Sequence, residues 1–178
     1  MSPASLRPLR ESDVGAALTL LRDAVRTPSY ATLLASVTEA AALTPSTEHS
    51  GMVAEMDGQP VAIAVYGEFA GATGAGRLHL VAVDPSHRRR GLGTLLLNRV
   101  AAELTACPTR FILAELPDDH PALDDYFAFL DATGFTEESR IPHFYREGVG
   151  LVFLRREMAG EERKQTAASS ELPRGRGV

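Results

Sequence analysis

Between Val81 and Leu97 the chain reads VAVDPSHRRRGLGTLLL. Arg88, Arg89 and Arg90 run directly into Gly91, Leu92, Gly93 and Thr94, and a leucine-rich helical stretch follows. The first turn of a helix carries backbone N–H groups with no intrahelical partner, and the aligned peptide dipoles add partial positive charge at the same end. Glycines bare the main chain there and arginines raise the potential. The combination therefore suits an anion, and a diphosphate in particular. Three arginines alone are usually a solvated turn. Here a strand comes first, then a proline two residues after its last valine, then Arg, Gly and Gly at fixed offsets before an apolar helix. That context points to a phosphate cradle. Neither of the common alternatives, GxGxxG or GxxxxGK[ST], occurs.

Four other residues have types suited to proton transfer. His79 lies in RLHLVAV, where alternation puts His79, Val81 and Val83 on one face and Leu78, Leu80 and Ala82 on the other. A histidine among aliphatics is often structural, but its ordinary pKa of about 6.5 would let it accept a proton. Glu115 sits in the apolar run FILAEL. A buried unpaired carboxylate is unfavourable, so Glu115 should face water, a partner or a substrate, or lie exposed at the strand end. Tyr126 and Tyr145 are phenols, and each also reads as a packed ring. Asp118, Asp119, Asp124 and Asp125 read either as a solvated loop and helix start or as an acidic mouth for an amine. His143 and Cys107 read as structural or exposed.

These side chains need elements to hold them. Leu6–Leu9 reads as a strand. ESDVGAALTLLRDAV has helical spacing, with Val14, Leu18, Leu21 and Val25 on one face and Ser12 as N-cap. A second helix covers Tyr30–Leu43. Strands at 52–55 and 60–69 flank the turn Met56-Asp57-Gly58-Gln59, a hairpin signature. A strand over Arg77–Asp84, a helix over Gly91–Ala106, a strand over Arg110–Leu116 and a helix over Leu123–Ala132 follow, the last stopped by Gly134. Strands over Glu137–Tyr145 and Gly150–Met158 finish the order β α α β β β α β α β β. This is an α/β domain with a mixed, largely antiparallel sheet flanked by helices. Residues 1–158 read as one domain. The polar segment 159–178 reads as a disordered tail.

Composition narrows the classes. A chain of 178 residues, 44% hydrophobic and 23% charged, is an ordinary globular protein. A net charge of −5 argues against general nucleic-acid binding, and no aromatics flank the arginine run as an RNA reader would require. The single cysteine, Cys107, excludes an internal disulfide framework and a cysteine-based zinc site, and it fits a cytoplasmic protein. No segment reads as a signal peptide or membrane span.

The run RRRGLG resembles the acetyl-coenzyme A motif of the GNAT superfamily of N-acetyltransferases: Arg or Gln, two residues, Gly, one residue, Gly or Ala. Arg88, Gly91 and Gly93 fill it. The flanking VAVDP and TLLLNRV, the opening LRPLRESD and the Gly134-Phe135 pair are also similar, so the resemblance spans roughly residues 4–158. It implies the GNAT fold, with a V-shaped opening between the Arg77–Asp84 and Arg110–Leu116 strands. The pantetheine arm would pair near Val81, Ala82 and Val83. The diphosphate would rest on the amides from Arg89 to Thr94. The implied co-substrate is acetyl-CoA, the acceptor a primary amine, and no metal takes part. A homodimer is compatible, since edge strands of this fold often pair.

The resemblance also suggests catalytic roles. His79 stands four residues before Val83, where some members carry a glutamate base, and Glu115 matches a glutamate of members that acetylate protein N-termini. The family's proton-donating tyrosine falls at Leu130, and the asparagine usual at the start of that helix is missing. Tyr126, one turn earlier on the same helix face, and Tyr145 are the substitutes. The competing reading is a catalytically silent acyl-CoA-binding or regulatory module of the same fold.

Overall fold

The computed structural model describes residues 4–22, 25–105, 109–119 and 123–158. Cys107 and the expected tail from residue 159 lie outside them. The elements are β1 (Ser5–Pro8), α1 (Val14–Arg22), α2 (Pro28–Leu43), β2 (Ser50–Met56), β3 (Gln59–Glu68), β4 (Ala75–Val83), α3 (Leu92–Leu104), β5 (Phe111–Pro117), α4 (Leu123–Ala132), β6 (Phe135–Arg146) and β7 (Val149–Glu157). Their order is the one the sequence predicts. No described helix is long and apolar enough to cross a membrane.

The strands form a seven-stranded sheet in the order β1-β2-β3-β4-β5-β7-β6. Every neighbouring pair is antiparallel except β4 and β5. Parallel neighbours need a crossover, and α3 provides it. Leu92, Leu96, Leu97 and Val100 of α3 and Leu130 of α4 pack on one face of the sheet with Ala62, Ala64, Leu78 and Val81. Ala17 and Leu21 of α1 and Tyr30, Leu34 and Val37 of α2 cover the other face over Val53, Ile63, Val65 and Leu80.

Local rules explain the joints. Asp57 and Gly58 both have positive φ, 50° and 77°, as a two-residue type I′ hairpin turn requires. Gly134 ends α4 with φ 89°.

Some expectations need correction. Ser12 does not cap α1. It lies in a short 3₁₀ turn whose Asp13 carboxylate accepts the Arg10 N–H at 2.9 Å and pairs with Arg7 at 2.6 Å. Val25 falls beyond α1. The alternation expected through β4 is also broken. Tyr66 stands opposite Leu78 while Val65 stands opposite Leu80, so His79 is an extra residue, a β-bulge. Leu78 therefore faces α3 and α4, while Leu80 and Ala82 face α1 and α2. A one-residue insertion exchanges the faces of all that precedes it.

Candidate active site

The bulge at His79 marks the place where the sheet opens. β4 pairs with β5 from Ala75↔Phe111 to Leu78↔Ala114 and no further. Beyond that point β4 stays with β3 up to Val83, and β5 stays with β7 up to Pro117. The two strands thus diverge from His79 and Glu115 onward.

Backbone direction identifies which groups look into this split. The Asp84 N–H donates to Val61 on the β3 side at 2.9 Å, and the Asp118 N–H donates to Gly150 on the β7 side at 3.1 Å. Backbone groups alternate sides along a strand, so Val81, Val83 and Glu115 turn theirs into the split. Ala82 turns its own toward β3.

Side chains from both faces of the sheet reach these groups. Tyr30, buried in α2, donates its hydroxyl to the Glu115 carbonyl. Tyr126 of α4 comes from the opposite face and hydrogen-bonds the Val81 backbone. Burial pushes both phenols up in pKa, so both stay protonated at neutral pH. Arg88 turns back and gives its Nε–H to the Val83 carbonyl at 3.2 Å.

The arginine turn lies at the end of β4. Arg89 and Gly91 have positive φ, 61° and 77°. A positive φ at a non-glycine residue is a strained conformation, which the surrounding turn has to impose. No side chain caps the start of α3, and among the described residues Arg88, Arg89 and Arg90 have no acidic partner. The two glycines do different things. At Gly91 a Cβ would meet open space, whereas at Gly93 it would lie 2.9 Å from the Phe129 ring. Gly93 therefore lets α4 pack against α3. Leu92 is buried in the core and Thr94 is exposed.

The titratable groups are distributed around the split. Glu115 has found a partner, since its carboxylate pairs with Arg77 at 2.8 Å. His79 is held by a hydrogen bond to the Glu48 backbone and by the His49 ring stacked 5.6 Å away. Burial first, then the Arg77 charge, push its pKa down to about 4, so it is uncharged at neutral pH and a weak proton acceptor. Tyr145 reaches the site through a second irregularity. Pro142 to Tyr145 of β6 stand opposite Gly150 alone, and His143 has φ 55°. The Tyr145 ring then meets Tyr30 edge-on at 5.8 Å and Phe144 at 5.0 Å. Burial first, then the Glu115 charge, raise its pKa to about 12.

The acidic mouth does not form as an open cluster. Asp119 accepts the Thr27 hydroxyl at 2.9 Å and pairs with Arg146 at 2.9 Å. Asp118 accepts the Gly150 N–H at 2.7 Å. Asp124 and Asp125 are exposed in the first turn of α4, where acids are favoured by the helix dipole. His143 is exposed, and its Nδ1 accepts the Gly148 N–H at 2.9 Å.

A divergent parallel pair beside an arginine–glycine turn is now joined by a match to a family model. The model of the acetyltransferase (GNAT) family matches residues 18–129. The chain belongs to the GNAT acetyltransferase family.

Solved structures agree on the fold. A GNAT-family protein from Desulfovibrio desulfuricans is similar with a TM-score of 0.77 at 22% identity, over 87% of this chain and 99% of that one. The ribosomal-protein-S18-alanine N-acetyltransferase from Escherichia coli is similar with a TM-score of 0.68 at 21% identity, over 90% and 98%. A Salmonella typhimurium protein solved with its cofactor acetyl-CoA has a TM-score of 0.68 at 19% identity, over 93% and 99%. No curated protein matches the chain by sequence.

Within this GNAT protein Leu130 is fully buried, with 0% exposure, and packs in the core rather than lining the split. Tyr126, one turn earlier, reaches the split in its place. Tyr30 and Arg77 are site residues that sequence reasoning missed. Tyr30 left one faint signal, as the only aromatic residue in α2. Arg77 left none, because its partner Glu115 is distant in the chain and the parallel register alone brings them together.

Proposed function

We propose that the protein moves the acetyl group of acetyl-CoA to a primary amine, by direct attack of the deprotonated amine on the thioester. The observation that carries this reading is the end of β4–β5 pairing at Leu78 and Ala114, which leaves the backbone of Val81 and Val83 facing an opening beside the Arg88–Thr94 turn. An amide-rich arm can pair with Val81 and Val83 there as a strand would. A diphosphate can take the free amides at the start of α3, with Arg88, Arg89 and Arg90 supplying charge. Ala82 contributes spacing rather than hydrogen bonds. The acetyl-CoA complex of the Salmonella neighbour and the N-acetyl transfer named for the E. coli neighbour support the assignment.

In this reaction the C–N bond forms as the C–S bond breaks. The Tyr126 hydroxyl, bonded to the Val81 backbone, is the donor suited to the charge that develops on the carbonyl oxygen. Tyr126, a neutral phenol at the same point, can donate to the departing thiolate, with Tyr145 second in line. Because Glu115 is held by Arg77 and His79 is a weak base, the proton of the attacking amine passes to water.

A second reading is favoured by Leu130: with no phenol at that position, the protein could bind acyl-CoA without turning it over. One experiment separates the two. Acetyl-CoA affinity is measured by titration calorimetry, and release of free thiol is followed with a panel of amines. Binding with thiol release above background supports the transferase. Binding without it supports the silent module, and absence of binding removes both.

A further inference from the structure

On the α2 side of the split lies a small pocket whose wall includes Arg26, Tyr30, His79, Val81, Asp119 and Tyr126. It adjoins the Val81 backbone, on the face opposite α3, so an acceptor would approach from there. One side chain of this wall is unusual. The His79 Nε2 is buried and has no hydrogen-bond partner among the described residues. The other ring nitrogen is engaged with the Glu48 backbone, and the His49 ring lies nearly parallel at 22°. A ring N–H given to a backbone carbonyl keeps the proton on that nitrogen and leaves the Nε2 with a lone pair.

The charges around the pocket point the same way. An ammonium ion leaving water needs a carboxylate with capacity to spare. Glu115 of β5 is taken by Arg77, and Asp119 by Thr27 and Arg146. The phenols facing the pocket, Tyr30 of α2 and Tyr126 of α4, are held protonated by burial. Arg26 has no acidic partner among the described residues. The Glu48 side chain is exposed, and only its backbone meets His79. The pocket thus offers a buried lone pair and, among the described residues, no carboxylate to spare, which is an environment for an uncharged amine.

We infer that His79 Nε2 accepts the N–H of the incoming amine, and that the acceptor is a weakly basic primary amine that enters uncharged, such as a peptide α-amine, rather than a lysine or a polyamine. This rests on the transferase reading above and names its acceptor class. His79 positions the nucleophile and does not take its proton. A peptide α-amine has a pKa of about 7.7–8.0 and lysine about 10.4, so at pH 7.5 roughly a third of the first and about one in a thousand of the second is uncharged.

The test uses the full chain, acetyl-CoA and two peptides of equal length. One has a free N-terminus and no lysine. The other has a blocked N-terminus and a single lysine. The α-amine peptide should show a kcat/KM on the order of 100-fold higher at pH 7.5. Its pH profile should rise with the pKa of the peptide amine alone, with no enzyme limb between pH 5.5 and 7. His79→Leu should raise the acceptor KM by about tenfold or more while calorimetric affinity for acetyl-CoA is unchanged, and His79→Gln, which restores an acceptor oxygen, should recover part of the loss. Equal or better use of the lysine peptide overturns the proposal. So does a limb between pH 5.5 and 7 that disappears in His79→Gln, which would make His79 a base, or an unchanged acceptor KM in His79→Leu. If His79→Leu does not fold, the peptide comparison and the pH profile of the unaltered protein decide alone. If acetyl-CoA binds and neither peptide nor any polyamine releases thiol, the transferase reading itself fails and this proposal with it.

Discussion

The hydroxyl of Tyr30 donates to the backbone carbonyl of Glu115, so α2 gives β5 the hydrogen bond that β4 no longer makes. Opening a sheet leaves backbone groups that must be satisfied or hydrated. Here a tyrosine from each face takes one of them, Tyr30 on β5 and Tyr126 on β4.

The first prediction follows from that bond. Tyr30→Phe keeps the ring packed against Tyr145 but leaves the Glu115 carbonyl without its donor. An unsatisfied buried group of this kind destabilises by about 1–3 kcal/mol, and each kcal/mol lowers the melting temperature by roughly 2–4 °C in a chain of this size. Thermal unfolding checks it. An unchanged melting temperature would show that the bond contributes nothing.

His79 makes stability depend on pH in a defined window. Its folded pKa is about 4 and its ordinary value 6.5. Between these values the unfolded chain binds the proton and the folded one does not, so stability falls as pH drops from 6.5 toward 4 and is fully present above 6.5. The difference of 2.5 units, 6.5 minus 4, sets an upper bound of roughly 3 kcal/mol. Urea unfolding of the native chain and His79→Gln at pH 7 and pH 4.5 tests this. The native chain should lose more stability over the interval than the variant does.

The two glycines of the arginine turn should fail differently. Gly91→Asp projects a carboxylate into open space beside three arginines, where a diphosphate would lie, and should weaken acetyl-CoA binding by at least tenfold, or about 1.4 kcal/mol. Gly93→Ala instead drives a methyl group against Phe129, and should destabilise the fold by about 1–3 kcal/mol through overpacking. Calorimetry and thermal unfolding should show the larger loss of binding in Gly91→Asp, beside about 1 kcal/mol of backbone strain from its φ of 77°, and the larger loss of stability in Gly93→Ala; if Gly91→Asp binds normally while folded, the cradle is not where the ligand rests.

Removing the hydroxyl of Tyr126 should lower turnover by on the order of 10²-fold with acetyl-CoA affinity retained, and Tyr145→Phe should do less. Steady-state kinetics beside calorimetry separate the two effects. A larger loss from Tyr145→Phe would place the proton donor on the β6 side of the site.

Much of this protein is local, and what is local was legible. The element order follows from apolar spacing and from turn residues such as Asp57-Gly58 and Gly134, because periodicity and φ preference act over a few neighbouring residues. The turn at Arg88, Gly91 and Gly93 could be read for the same reason, since a helix start and the residues that lead into it form one contiguous stretch. What the tertiary structure decided is which distant groups meet. The bulge at His79 depends on how β4 pairs with β3, and it reverses the face that alternation assigns to Leu78. Glu115 reads as a lone carboxylate until parallel pairing sets Arg77 beside it. Tyr30 reads as one more residue of an apolar helix until α2 lies across the split. Gly93 belongs to the motif in sequence but serves α4 in space. Strand register and helix docking are set by contacts between residues far apart in the chain, and those contacts leave no spacing in the sequence from which to read them.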